Sequence, residues 1–324
     1  MCKKYKYLFL LVMQLAFCSL SCQENKQTPY NSLKATLKIA LKATDSLDAM
    51  VALAYHFQDN NMDTASYYTK EALKLHNRYP LQSSQNTVTL LNIKQQILTY
   101  SLDTIPQGLI EIKRNSLYKK DTIVYLEAIA LEALYNHSKD RHTGTILLIE
   151  DILSQYSGKE TAQIANLCVH LSRANAAVKN ISAAIKWSQK AITSYTLLQH
   201  KKGLNAAYRA LSLAYAAVFN YAKASVHIEN AKNSISNQRN NRAMALDALC
   251  LGAIYAKNKK FNKALPQLEN ALRLNKKIKD KHIEQDALYY WLAVQLQNKN
   301  YKAVLAKAAT YPKNIADLRL SYVL

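Results

Sequence analysis

Apolar positions in this chain recur every three or four residues, and they fall in paired blocks separated by short polar breaks. Runs in which β-branched residues alternate with polar ones are scarce, so the pattern predicts helices and very few strands. In the clearest block, Leu251 and Tyr255 precede the polar stretch Asn258-Lys259-Lys260, and Phe261, Ala264, Leu268 and Ala271 follow it. The spacing of the second group puts all four on one face of a helix. Two helices joined by a tight turn are therefore predicted.

The block repeats. A step of 40 residues toward the N-terminus meets Leu211, Ser212, Tyr215, Tyr221, Ala224, Ile228 and Ala231, and a second step meets Leu171, Ser172, Asn175, Ile181, Ala184, Ser188 and Ala191, with no gap. A third step predicts Leu131, Tyr135, Gly144 and Leu148 as equivalents, while a forward step gives Trp291, Tyr301 and Val304 beside Ala303. An earlier copy at Leu53, Tyr55, Ala65 and Ala72 is shifted by one residue, and residues 87–120 predict a further hairpin divided at Ile105-Pro106. Proline suits the first turn of a helix. Repeats of this length signal stacked supersecondary units that bury their faces against neighbouring copies.

These residues resemble the tetratricopeptide repeat family over about residues 45 to 312. The signature is carried by Leu211, Tyr215, Tyr221, Ala224 and Ala231, and by Leu251, Gly252, Tyr255, Phe261, Ala264 and Ala271. Small side chains at Gly144, Ala184, Ala224 and Ala264 would let the two helices of a hairpin approach closely, with tyrosines filling the space between them. The period exceeds the family's usual 34 residues by about 1.7 helical turns, which predicts longer helices or longer loops. The resemblance implies an all-α fold, a right-handed α-solenoid of antiparallel helical hairpins. It also implies an interaction surface on the concave side, where the first helix of each hairpin would present Asn166, His170 and Arg173, then Arg209, and finally Tyr289 and Tyr290. Beside them Leu246, Leu249, Cys250 and Ala253 would form an apolar shelf.

Composition agrees with a helical fold, since 324 residues carry only 5 Gly and 5 Pro, too few turn formers for a sandwich, a barrel or a βαβ series. Lys and Arg number 43 against 22 Asp and Glu, for a net charge of +21. Such an excess favours anionic partners. Its clusters, Lys119-Lys120, Lys201-Lys202, Lys257 with Lys259-Lys260, and Lys276, Lys277, Lys279 and Lys281, sit at predicted tips and loops and read as solvated faces.

The first 22 residues read as an address. Lys3, Lys4 and Lys6 precede the apolar run Leu8 to Phe17, and Ser19-Leu20-Ser21-Cys22 follows. This is the layout of a secretory signal, and the run is about half the roughly 20 residues a membrane span needs. The end of the segment resembles the lipobox of bacterial lipoproteins, which implies acylation at Cys22; ordinary secretory cleavage, leaving a soluble periplasmic protein, is the alternative. The expected organisation is a signal peptide over 1–22, a short tether over 23–30 and a solenoid over 31–324. Cys168 and Cys250 then remain as buried free thiols.

Catalytic motifs are missing from the sequence. There is no Gly-rich phosphate loop, no His-Glu-x-x-His, no Cys-x-x-Cys and no Gly-x-Ser-x-Gly. His137 and His142 bracket three charged residues at a predicted tip and read as solvated rather than metal-binding. No cofactor or metal is expected, and an enzyme is not. The reading is an exported, lipid-anchored module that binds a protein or peptide, with an acidic ligand suggested by the arginines and no nucleic acid expected. The alternative is the sensory input domain of a membrane-linked regulator whose output region is absent from this chain.

Overall fold

The structure is a computed structural model that describes residues 29–39, 43–79, 85–103, 105–118, 121–236 and 240–308. The signal segment and Cys22 lie outside the described residues, as do Lys119 and Lys120. Among the described residues every regular element is a helix: α1 (Pro29–Ile39), α2 (Ala43–Phe57), α3 (Met62–Arg78), α4 (Gln85–Thr99), α5 (Ile105–Tyr118), α6 (Thr122–Ser138), α7 (His142–Gln155) and α8 (Ala162–Ala177). They continue as α9 (Ile181–Leu197), α10 (Lys201–Ala217), α11 (Tyr221–Ser234), α12 (Asn241–Lys257), α13 (Phe261–Ile278), α14 (Lys281–Gln297) and α15 (Tyr301–Ala308). From α2 onward they pair as seven antiparallel hairpins stacked into an α-solenoid. The extra length of the repeat lies in the helices, since α8, α9, α10 and α12 each run for 16 or 17 residues.

The small positions do what their size dictates. Ala184, Ala224 and Ala264 are fully buried, as are Ala191, Ala231 and Ala271. Around them the apolar side chains form a chain of clusters, each joining hairpins that are consecutive in sequence. One unites Ala224, Ile228 and Ala231 with Cys250, Leu251 and Ile254, and another unites Ala264, Leu268 and Ala271 with Ala287, Trp291 and Val304. Each large side chain so buried contributes about 1.5–3 kcal/mol. Both Cys168 and Cys250 are buried free thiols.

The turns inside the hairpins repeat too. Lys179, Phe219, Lys259 and Lys299 all adopt positive φ, between 55° and 63°. The residue after each closes the helix by donating its N–H back to the carbonyl of Asn175, Tyr215, Tyr255 or Gln295 at 2.8–3.0 Å. This is the Schellman arrangement, which satisfies a carbonyl the helix end would leave bare. In the third hairpin the positive φ falls on Asp140 and the closing bond runs from Arg141 to Asn136. Those equivalents are 39, not 40, residues from their partners in the next hairpin. The expected equivalence of Gly144 therefore fails: Gly144 is exposed with open space around its α-carbon, and Thr145 takes the buried place.

The solenoid also meets itself. The turn of the first hairpin reaches the beginnings of α10 and α12 across more than 140 residues of sequence. Lys202 bonds the Asp59 carboxylate, Asn240 donates to it at 3.4 Å, and the Arg242 backbone N–H donates to the Asp59 carbonyl at 2.9 Å. Nearby, the Asn241 N–H reaches Asn60 Oδ1 at 3.0 Å, Lys279 pairs with Asp63 at 2.6 Å, and Tyr100 meets His282 Nδ1 at 3.0 Å. Lys202 and Lys279 are thus seam contacts, and Lys281 pairs with Glu284 at 2.7 Å; the reading of these lysines as simply solvated is corrected.

Candidate functional site

Closure of the ring turns the concave face into a cavity of about 1170 Å³, walled by the first helix of every hairpin. Asn166, His170, Arg173 and Arg209 all line it. The apolar shelf of Leu246, Leu249, Cys250 and Ala253 lines it as well. Both Tyr289 and Tyr290 pack against the cluster around Trp291, but of the two Tyr290 lines the cavity and Tyr289 does not, so the expectation for Tyr289 is corrected. Along α8, Gln163, Asn166, His170 and Arg173 make one stripe at spacings of three and four.

Two of the cavity's arginines are already spoken for. Arg209 pairs with buried Asp247 at 2.6 Å, and Asn205 donates to the same carboxylate at 2.7 Å. Burial nevertheless raises the Asp247 pKa above the ordinary value, against the opposing pull of Arg209. Arg242 grips Asp280 at 2.8 and 2.9 Å, and Asp280 is fully buried while it caps α14. Of the two arginines expected on the concave face, Arg209 therefore has its charge neutralised within the wall by Asp247.

Arg173 differs: among the described residues it makes no ion pair and no hydrogen bond. Burial, with Arg209 and Arg242 adding to it, lowers its pKa to about 10. Beside it His170 is pushed down to about 3 by burial and then by the Arg173 charge, so it stays a neutral imidazole at pH 7. His137 and His142, expected to be solvated, instead turn inward, with ring centroids 5.1 Å apart, and share a small hollow with His170 and Arg173. No group of three or more His, Cys, Asp or Glu among the described residues could hold a metal ion.

The half of the wall contributed by the early hairpins was not legible in the sequence. Lys94 and Glu127 line the cavity, and Gln163 donates to Glu127 at 3.2 Å. Burial raises the Glu127 pKa. Asp59 is nearly buried; burial alone would raise its pKa, but Lys202, Lys94 and Arg242 overturn that and hold the carboxyl well below its usual range. The signal that could have found these residues was the register of the first three copies, which the one-residue shifts hid.

No protein-family model matches the chain, and no curated protein matches it. A Rap protein complexed with competence and sporulation factor superposes with a TM-score of 0.56 at 14% identity, covering 81% of this chain and 74% of that one. BtubC from P. vanneervenii gives 0.45 at 13% identity, over 70% of this chain and 97% of that one. A signal transduction ATPase with numerous domains and a tetratricopeptide repeat sensor, from Pyrococcus horikoshii, gives 0.47 at 17% identity, over 87% of this chain and 43% of that one. Seven stacked hairpins with small residues at their crossings, together with the likeness to the Rap structure, make the fold a tetratricopeptide-like helical-repeat solenoid.

Proposed function

We propose that this chain is an exported interaction module, anchored by a lipid on Cys22, that takes an acidic segment of a protein or peptide into its inner cavity and performs no catalytic step. The observation that carries the reading is Arg173, a partly buried guanidinium on the cavity wall with no acid paired to it, facing a wall that also offers an apolar shelf. A carboxylate there would accept charge-assisted hydrogen bonds, and Leu246 and Leu249 would take a hydrophobic side chain. The neighbouring fold solved with competence and sporulation factor supports a ligand-binding role for this shape. Export and anchoring rest on the basic start, the apolar run and Cys22, and no described helix is long and apolar enough to cross a membrane.

A second reading, the input domain of a membrane-linked regulator, is favoured by the closed ring, because an enclosed cavity suits a small ligand to be sensed. Co-purification from membranes with the intact chain separates the two: a stable protein partner supports the module, and a small bound compound supports the sensor. Any bound segment is then titrated against Arg173→Ala, with Lys259→Ala/Lys260→Ala at a hairpin tip as the control. Loss of the charged contact should weaken binding by about 1.5–3 kcal/mol. Weakening by the tip pair alone would sink the cavity reading. Palmitate-analogue labelling that persists in Cys22→Ala would sink the anchor.

A further inference from the structure

The seam that closes the ring is built differently from every other joint in the solenoid. Each described apolar cluster joins hairpins adjacent in sequence, and none of them crosses from the first two hairpins to the last three. The seam is held by polar contacts centred on Asp59 and Asp63. Among the described residues, its direct ion pairs leave one cation over. Asp59 is engaged by Lys202 and Asn240, and the Arg242 guanidinium is engaged by Asp280. Lys94, on α4, lines the same cavity with Asp59, Lys202 and Arg242, and among the described residues it has neither an ion pair nor a hydrogen bond.

An ammonium withdrawn from water with no acid in direct contact is costly, even with Asp59 and Glu127 near enough to attract it, and an arriving anion would relieve that cost. We propose that Lys94 is an oxyanion-binding site on the cavity side of the seam, taking a carboxylate or phosphate of the cavity's ligand and thereby holding the ring closed. Closure follows from connectivity: Lys94 belongs to the second hairpin, whereas Lys202 and Arg242 open the fifth and sixth. An anion among them ties the two sides together where no apolar cluster does. The lowered basicity of the amine agrees: burial, with Lys202 and Arg242 adding to it, brings its pKa to about 8 although Asp59 and Glu127 pull the other way. The inference rests on the cavity being the ligand site.

The test uses the full chain with inorganic phosphate or succinate, at an ionic strength held constant with sodium chloride. Lys94 acylation by an amine reagent is followed by peptide mass spectrometry, with Lys260 as the internal control. Ring closure is followed in parallel as disulfide formation in Asn60→Cys/Asn241→Cys, with and without Lys94→Gln. At ten times Kd the anion should slow Lys94 labelling about tenfold relative to Lys260. It should also speed the cross-link, and Lys94→Gln should abolish the acceleration. Protection by phosphate alone assigns a phosphate-bearing ligand, and protection by succinate alone a carboxylate. Equal labelling with and without anion, or protection with no change in cross-linking, overturns the proposal. The wild-type labelling decides the site even if Lys94→Gln does not fold. Should Lys94 fail while Arg173→Ala still weakens a partner, the cavity reading stands without it.

Discussion

Ser212 reaches across its hairpin to donate its hydroxyl to the carbonyl of Ala224 at 2.7 Å, and Ser172 does the same to Ala184 at 2.8 Å in the preceding copy. Two helices can meet backbone to side chain in this way only where the residue is small. In the next copy the position is Gly252, where an added Cβ would lie 2.7 Å from Leu268 side-chain atoms and 3.3 Å from its backbone nitrogen.

Gly252→Ala should therefore destabilise the protein, although alanine is the better helix former. The propensity gain is about 1 kcal/mol, against about 1–3 kcal/mol for overpacking. Ser212→Ala removes a bond without adding a clash and should cost about 0.5–1.5 kcal/mol. A urea melt in which Gly252→Ala is the more stable protein would show that the crossing relaxes freely.

The same register makes adjacent positions unequal. Ala264 is fully buried between helices while Lys263 is exposed. Ala264→Trp should cost about 1–3 kcal/mol or more, and Lys263→Trp should stay within about 0.5 kcal/mol. Matching urea midpoints would contradict the packing described for this hairpin.

What could be read from the sequence was whatever one hairpin and its neighbour decide. Ala184, Ala224 and Ala264 could be aligned because a helix crossing accepts only small side chains, and the inner stripe of α8 followed from helical periodicity. The 39-residue step at the third hairpin escaped because Gly144 happened to offer a small residue one place from buried Thr145. Neutralisation of Arg209 by Asp247 joins two successive copies, so no single repeat discloses it. The seam was illegible for a deeper reason: it depends on curvature summed over all the hairpins, and the pairing of Asp59 with Asn240 spans 181 residues.

The hairpin turns carry a cost the chain could shed. Phe219 holds φ at 60° with its ring mostly exposed. The left-handed region costs an ordinary L-residue about 1 kcal/mol, and glycine avoids it. Phe219→Gly should raise stability by roughly 0.5–1 kcal/mol, the added freedom of the unfolded chain offsetting part of the gain. A lower melting temperature would mean that the Phe219 ring contributes more packing through its edge contact with Tyr221 than its backbone loses.

Asp59→Asn tests the seam as a whole. Breaking a buried ion pair costs about 3–5 kcal/mol, but Lys202 is half exposed, so about 1–2 kcal/mol is expected here. Small-angle scattering should show a larger radius of gyration as the ring opens. Because the native carboxyl is held below its ordinary value of 3.8, its contribution is fully present above that pH and is lost as pH falls below it. Asp59→Asn should lack this part of the acid transition. An unchanged radius would mean that hairpin stacking alone fixes the curvature.

Lys94→Met separates the amine's cost from its use. The native pKa of about 8 lies below the ordinary 10.5, so between those values the unfolded chain binds more protons than the folded one and wild-type stability rises with pH. Below pH 8 the amine is charged in both states and its burial cost is fully felt. In the absence of added anion, Lys94→Met should therefore stabilise the protein at pH 7, on the order of 2–3 kcal/mol at most. That advantage should shrink steadily from pH 8 to pH 10.5. Comparing the two proteins cancels Cys168 and Cys250, whose thiols burial raises to about 11 and about 12 and which titrate in the opposite sense over the same range. If Lys94→Met is less stable at pH 7, or its advantage does not change with pH, the ammonium is not under strain in the wall, and the force that would draw an anion to it is absent.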